Sequence, residues 1–242
     1  MRYNYSMFSS FPRLRLAVIF LTCLLPFSLG ADSFWDDIHW SYRSGLLFFS
    51  ADNGPGADPA PILPSGGFSA AWQFWGPLRL ELTEDIYFAN YEYNTALGYA
   101  MACNSENRSA FVMGFLSGIQ LTGVFPIGEN AAVRVFGGPV ADFRLVVLAF
   151  GLNHPGDFTG NIETDAGLQT DAIRDYFWNN GRWIFPVLGA GMDFPINEKF
   201  LLGFDMRLWF PFYRLWTDKA LPAADGWRFG IGLRITPRKT SR

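Results

Sequence analysis

Along residues 226–235 large apolar side chains alternate with glycine and arginine. Trp227, Phe229, Ile231, Leu233 and Ile235 stand against Arg228, Gly230, Gly232 and Arg234. Successive side chains on a strand point to opposite faces, so one face here is wholly apolar and the other tiny or cationic. Seven earlier segments share this period. Residues 38–48 set Ile38, Trp40, Tyr42, Leu46 and Phe48 against His39, Ser41, Arg43 and Gly45. Residues 67–76 set Phe68, Ala70, Trp72 and Phe74 against Ser69, Ala71 and Gln73. Residues 78–88 oppose leucines 78, 80 and 82, Ile86 and Phe88 to Arg79, Glu81, Thr83, Asp85 and Tyr87. Glu84 alone breaks that apolar face, as a bulge or a girdle position would. Residues 110–125 oppose Phe111, Met113, Phe115, Ile119 and Leu121 to Gly114, Gly118, Gln120 and Thr122. Residues 131–148 oppose Val133, Val135, Phe143 and Leu145 to Arg134, Gly138, Asp142 and Arg144, with a bulge expected at Gly137-Gly138-Pro139. Residues 183–194 keep Gly189, Gly191 and Asp193 on the inner face, and 200–216 oppose Phe200, Leu202, Phe204, Met206 and Leu208 to Gly203, Asp205, Arg207 and Trp209.

Eight such strands point to a closed antiparallel sheet whose bulky face looks at lipid and whose small, polar face lines a narrow wet interior. The connections agree. Gly76-Pro77, residues 126–130 and residues 195–198 make short links, whereas 50–66, 89–109, 149–182 and 217–225 are long. Short and long alternate strictly, as periplasmic turns and external loops do in an up-and-down transmembrane barrel with an even strand number. Within the third long loop two readings stay open. Residues 172–178 fit two helical turns capped by Asp171, and Asn180-Gly181 fits a hairpin turn between flanking aromatics.

The N-terminus reads as an export signal. Arg2, Arg13 and Arg15 precede an apolar run at 16–29, and Ser28-Leu29-Gly30 offers a cleavage site before Ala31. The run falls short of the roughly 20 residues a spanning helix needs. Residues 1–30 are therefore a signal peptide and 31–242 the barrel. Without the three signal arginines, sixteen basic residues face twenty-two acids, which argues against a nucleic-acid partner. Three lysines (Lys199, Lys219, Lys239) are few for a water-facing surface, while aromatics reach 18%. Trp35, Trp40, Tyr42, Trp72, Trp216 and Trp227 suit interfacial girdles, and Trp75 is read as inward packing. Cys103, the one mature cysteine, precludes an internal disulfide.

Charge collects on the inner face. Arg43, Arg79, Arg134, Arg144, Arg207, Arg228 and Arg234 share it with Glu81, Asp85, Asp142, Asp193 and Asp205. Such a set makes either a selectivity constriction or a salt-bridged plug, and its near-balance of signs suits pairing. Two histidines, His39 and His154, are the available catalytic bases, and neither has an identifiable serine partner. No metal or cofactor is expected from two isolated histidines and one cysteine. Acids in the loops (Asp52, Asp58, Asp157, Glu163, Asp165, Asp171) show no regular calcium-ligand spacing.

On its signal, its eight alternating strands, its loop order and its closing strand, the mature chain resembles the small outer-membrane barrels of the OmpW and OmpX type. Trp227, Phe229, Ile231, Leu233 and Ile235 look like the C-terminal signal read by the barrel-assembly machinery. That signal normally ends a protein on an aromatic, whereas residues 236–242 follow it here. The tail and the aromatic-rich strands are similar to those of treponemal proteins described as OmpW-like. The resemblance implies an outer-membrane address, contact with outer-membrane lipid, and limited passage of small solutes or hydrophobic molecules. Family members of the OmpW kind are associated with a hydrophobic lumen, from which this charged inner face departs. Two other functions are open: a surface barrel with a plugged lumen that meets host molecules through its loops, and a lipid-modifying enzyme.

Overall fold

A computed structural model describes residues 38–50, 62–103, 110–128, 130–148, 160–217 and 221–238. The segment 1–30 expected to be an export signal, and His154, Trp35, Asp52, Asp58 and Asp157, lie outside the described residues. The strands are β1 (Ile38–Ser50), β2 (Ile62–Trp75), β3 (Leu78–Asn94), β4 (Tyr99–Cys103), β5 (Ala110–Ile127), β6 (Ala131–Leu148), β7 (Ile184–Pro195), β8 (Phe200–Trp209) and β9 (Trp227–Pro237). One helix, α1, spans Ala166–Asn179.

Every strand of the ring pairs antiparallel with its neighbours, in the order β2-β1-β9-β8-β7-β6-β5-β3, and β2 pairs with β3 to close it. Eight strands form the ring. The ninth, β4, lies outside the closed circuit and pairs only with the upper end of β3, from Asn90↔Cys103 to Asn94↔Tyr99. The seam is β9 against β1, in continuous register from Tyr42↔Ile235 to Ser50↔Trp227.

The faces sort as the period-two pattern predicts. Leu188, Leu233, Ile119 and Val135 stand more than half exposed on the outside, while Arg134, Arg228 and Arg234 are at most 2% exposed within. Large apolar groups outside and guanidiniums inside invert the arrangement of a water-soluble sheet. Closure leaves no unpaired edge for lipid to meet. The chain is an eight-stranded antiparallel barrel that crosses the outer membrane with its strands. Among the described residues no helix is long and apolar enough to do so.

Several local expectations are corrected. The register of β6 is the same on either side of Gly137-Gly138-Pro139 against both neighbours, so no bulge shifts it, and Gly138 and Pro139 pair with β7 alone. Gly138 instead lets β5 come close, since a Cβ there would meet the Ile119 carbonyl. The real irregularities fall between Gln73 and Trp75 and between Phe111 and Val112. The first of these carries Trp75 outward to 72% exposure, not into the lumen. Glu84 sits in regular register on both sides, neither bulged nor at a rim. Strand β3 continues six residues beyond Phe88, because β4 folds back to satisfy its outer edge. Strand β8 stops at Trp209, and Pro211 precedes a single 3₁₀ turn over Phe212–Leu215.

Candidate functional site: a charged plug beneath a helical cap

Inward positions on different strands meet across a lumen only as wide as the side chains that fill it. In the periplasmic half, acids and arginines alternate in a continuous chain. Asp193 on β7 forms an ion pair with Arg134 Nε on β6 at 2.7 Å, and the same guanidinium reaches Asp205 on β8. Asp205 Oδ2 accepts from Arg207 Nη2 at 2.9 Å, whose Nη1 crosses to Asp85 Oδ2 on β3 at 2.7 Å. Arg43 on β1 joins Asp85 at 3.0 Å. Alongside, Arg234 on β9 spans to Glu81 on β3 at 3.2 Å, and Glu81 also accepts from the Thr122 hydroxyl. Opposite walls are thus tied through the middle.

A second charged cluster lies nearer the outside and centres on Asp142. It accepts from Arg144 Nε at 2.7 Å and from the Tyr87 hydroxyl at 2.9 Å, and Arg228 Nη2 forms an ion pair with it at 2.8 Å. Aromatic faces take up the rest of these guanidiniums: Arg228 lies 3.9 Å from the Phe185 centroid, and Arg144 lies 4.2 Å from that of Phe177. Planar guanidiniums stack well in this way when desolvated. Between the two clusters sits an apolar plate that includes Leu116, Phe136, Val140, Val187 and Trp209, all buried.

The inner glycines are what make this packing possible. A Cβ on Gly189 would strike the Phe136 ring, one on Gly114 the Tyr87 ring, and one on Gly230 would come 2.8 Å from Trp209. Each glycine is a notch filled by a large neighbour. Two cavities among these residues are of water size: about 20 Å³ beside Arg43, Asp85 and Arg207, and about 10 Å³ between Asp142, Arg144 and Trp178.

Above the outer cluster lies α1. Asp165 caps its N-terminus by accepting from Gly167 N at 3.0 Å and Leu168 N at 3.1 Å. The helix therefore begins six residues before Ala172, and Asp171 is an exposed side chain within it, ion-paired to Arg174. Gly181, at φ 65°, turns the chain into β7, so the hairpin reading of Asn180-Gly181 gives way to a helix end. Ile173, Tyr176 and Phe177 are buried against Tyr91, Ala100, Ala102, Leu221 and Ala224. Trp178 Nε1 donates to the Arg144 carbonyl at 3.1 Å, and Tyr176 donates to the Pro222 carbonyl at 2.7 Å. Burial pushes the Tyr176 phenol well above its usual range, which keeps it a donor. Gln169 holds the β3 end by accepting from Tyr93 N at 2.9 Å. Asp225, fully buried, pairs with Arg182 and accepts from Leu221 N.

Of the twelve charged residues picked from the sequence, eleven are buried and ion-paired in these clusters: six guanidiniums against five carboxylates. Arg79 stands apart, half-buried near the periplasmic end of β3. His39 lies on β1 opposite Ala71, also near that end. The five apolar residues of the closing strand all face outward on β9. The cap residues Tyr176, Phe177, Arg182 and Asp225 were not picked out by sequence. The aromatic run Tyr176-Phe177-Trp178 in a polar loop was their one signal. Among the described residues no group of three histidines, cysteines or acids is placed to hold a metal ion, and Cys103 is a buried free thiol.

No protein-family model matches this sequence, and no curated protein does. By overall structure the chain is similar to Neisserial surface protein A, with a TM-score of 0.48, 10% identity, and 84% of this chain and 97% of that one covered. It is similar to Ail, the attachment invasion locus protein of Yersinia pestis, at a TM-score of 0.44, 9% identity, and 84% and 97% covered. A third likeness is to the outer membrane protein OprG of Pseudomonas aeruginosa, at a TM-score of 0.46, 11% identity, and 82% and 95% covered. By its own ring of strands, apolar belt and charged interior, the chain is a small outer-membrane β-barrel.

Proposed function

We propose that this barrel works by contact at the cell surface, with its lumen sealed, and not by passing solutes through it. The observation that carries this reading is the continuous chain Asp193–Arg134–Asp205–Arg207–Asp85–Arg43, which spans the interior and has beside it a cavity of only about 20 Å³. A hydrated solute needs a path far wider than one water. The cap adds a second closure, and it presents the exposed side of α1, including Asp171, Arg174 and Asp175, to the outside. Host or neighbouring-cell surface molecules are the partners this face and the long loops would meet.

Planar-bilayer recording tests the reading. The intact protein is expected to insert and to show no discrete conductance steps, and liposomes carrying it are expected to retain small sugars. Reproducible unit conductances from the purified protein would replace the contact reading by the porin-like one.

A further inference from the structure

Among the described residues, one ionisable side chain stands on the lipid-facing surface away from both rims: Glu84. On β3 it follows Leu78, Leu80 and Leu82 and precedes Ile86 and Phe88 on the same face. At a rise of about 3.4 Å per residue and a tilt of about 40°, it sits roughly 15 Å above the periplasmic end of the strand. The apolar band of such barrels is about 25 Å tall, which puts Glu84 near its middle. Its cross-strand neighbours are Phe68 on β2 and Ser117 on β5, and the Ser117 hydroxyl bonds its carboxyl. Ala141 on β6 comes next in that row. Further down the outer face of β6 come Pro139 and Gly137. Large exposed apolar side chains flank this small patch, Leu80, Leu82 and Phe88 on β3 and Ile119 and Leu121 on β5, whereas on the opposite wall Phe204, Met206 and Leu208 on β8 and Phe229 and Leu233 on β9 leave no comparable patch of small residues.

A carboxyl in hydrocarbon is costly and is kept where something satisfies it. One serine hydroxyl fills one acceptor position and leaves the rest of the group unmatched. Lipid headgroups, which could supply the remainder, lie at the rims, about half the band height away. We propose that Glu84, Ser117 and Ala141 form the centre of a two-fold contact between two copies of this chain in the membrane. Copies in one bilayer share an orientation, so the two-fold axis runs along the membrane normal. Each residue near that axis then meets its own counterpart at its own height. A neutral carboxyl donates one hydrogen bond and accepts another, so two Glu84 side chains complement each other where one alone does not. The low ground of Ser117, Ala141 and Gly137 lets the two walls approach, as small residues do between membrane helices.

The test uses the full-length mature protein in proteoliposomes at high lipid-to-protein ratio, read by single-molecule photobleaching and by disulfide capture. Wild type is expected to bleach in two steps. Glu84→Leu should show at least tenfold fewer pairs, while Glu84→Gln, whose amide also donates and accepts, should keep them. In a Cys103→Ser background, Glu84→Cys should cross-link to twice the monomer mass and Met206→Cys, on the opposite wall, should not. Heat-dependent mobility in SDS identifies folded protein for each variant, and the cysteine pair decides the matter if Glu84→Leu does not fold. Single-step bleaching of wild type overturns the proposal. So does undiminished pairing of folded Glu84→Leu, or capture at position 206 equal to that at 84.

Discussion

The periplasmic and external halves of the lumen are both sealed by arginine and acid, but they are built from different material. In the lower half every member of the Asp193–Arg134–Asp205–Arg207–Asp85–Arg43 chain stands on a strand of the ring. The upper half borrows from a loop: Arg144 stacks on Phe177 of α1, and its carbonyl accepts from Trp178. The lower seal therefore cannot open without deforming the barrel. The upper one is closed by a segment that could leave while the strands stay paired. A barrel wall and a docked helix differ in the free energy of local opening, and loops draw from the low end of that range.

The sharpest way to break this comparison is Arg134→Ala. It strips Asp193 of its bridge and Asp205 of one of two, leaving buried charge uncompensated at a cost of about 3–5 kcal/mol. The expected result is a large fall in the urea midpoint of the whole barrel in lipid vesicles. An unchanged midpoint would mean the lower seal is wetter than its packing implies.

Phe177→Ala should act on the other half. Truncating a buried phenylalanine costs about 3 kcal/mol, but here the loss falls on the docking of α1 and not on the ring. Limited proteolysis should cut within α1 while the strands retain SDS resistance at room temperature. Simultaneous loss of both would show that cap and barrel unfold as one unit. The mildest perturbation is Asp165→Ala, which removes two N-cap hydrogen bonds and about 1 kcal/mol. Faster amide exchange confined to the first turn of α1 is expected, with Tyr176 and Phe177 still protected.

The ring was legible in the sequence because its rule is binary. A strand between lipid and a crowded interior alternates strictly, and Leu78 to Phe88 or Trp227 to Ile235 obey that rule almost without exception. The inner arginines and acids followed from the same parity. What parity cannot convey is which partner each charge takes, since Arg207 reaches Asp85 over 122 positions of chain. Nor does it say what fills a glycine gap. The inner glycines of β7 and β9 suggested open space, and the structure fills that space with Phe136 and Trp209. The cap was obscured for a related reason. Its helix has one buried edge, formed by Gln169, Ile173, Tyr176 and Phe177, and what that edge buries against comes from distant parts of the chain: β3, β4, β5, β6 and the segment near Leu221.

Strand β9 brings one arginine to each seal, Arg234 to Glu81 and Arg228 to Asp142. Glu81 sits on β3 and Asp142 on β6, so each guanidinium reaches from the seam across the lumen to a strand it does not pair with. Without β9 the two ion-paired clusters hold five acids against four arginines, and β9 reverses that excess where it pairs with β1. The same strand closes the seam and supplies one cation to each seal, so it serves as an electrostatic latch, and a misregistered seam would leave Glu81 and Asp142 each short of a guanidinium.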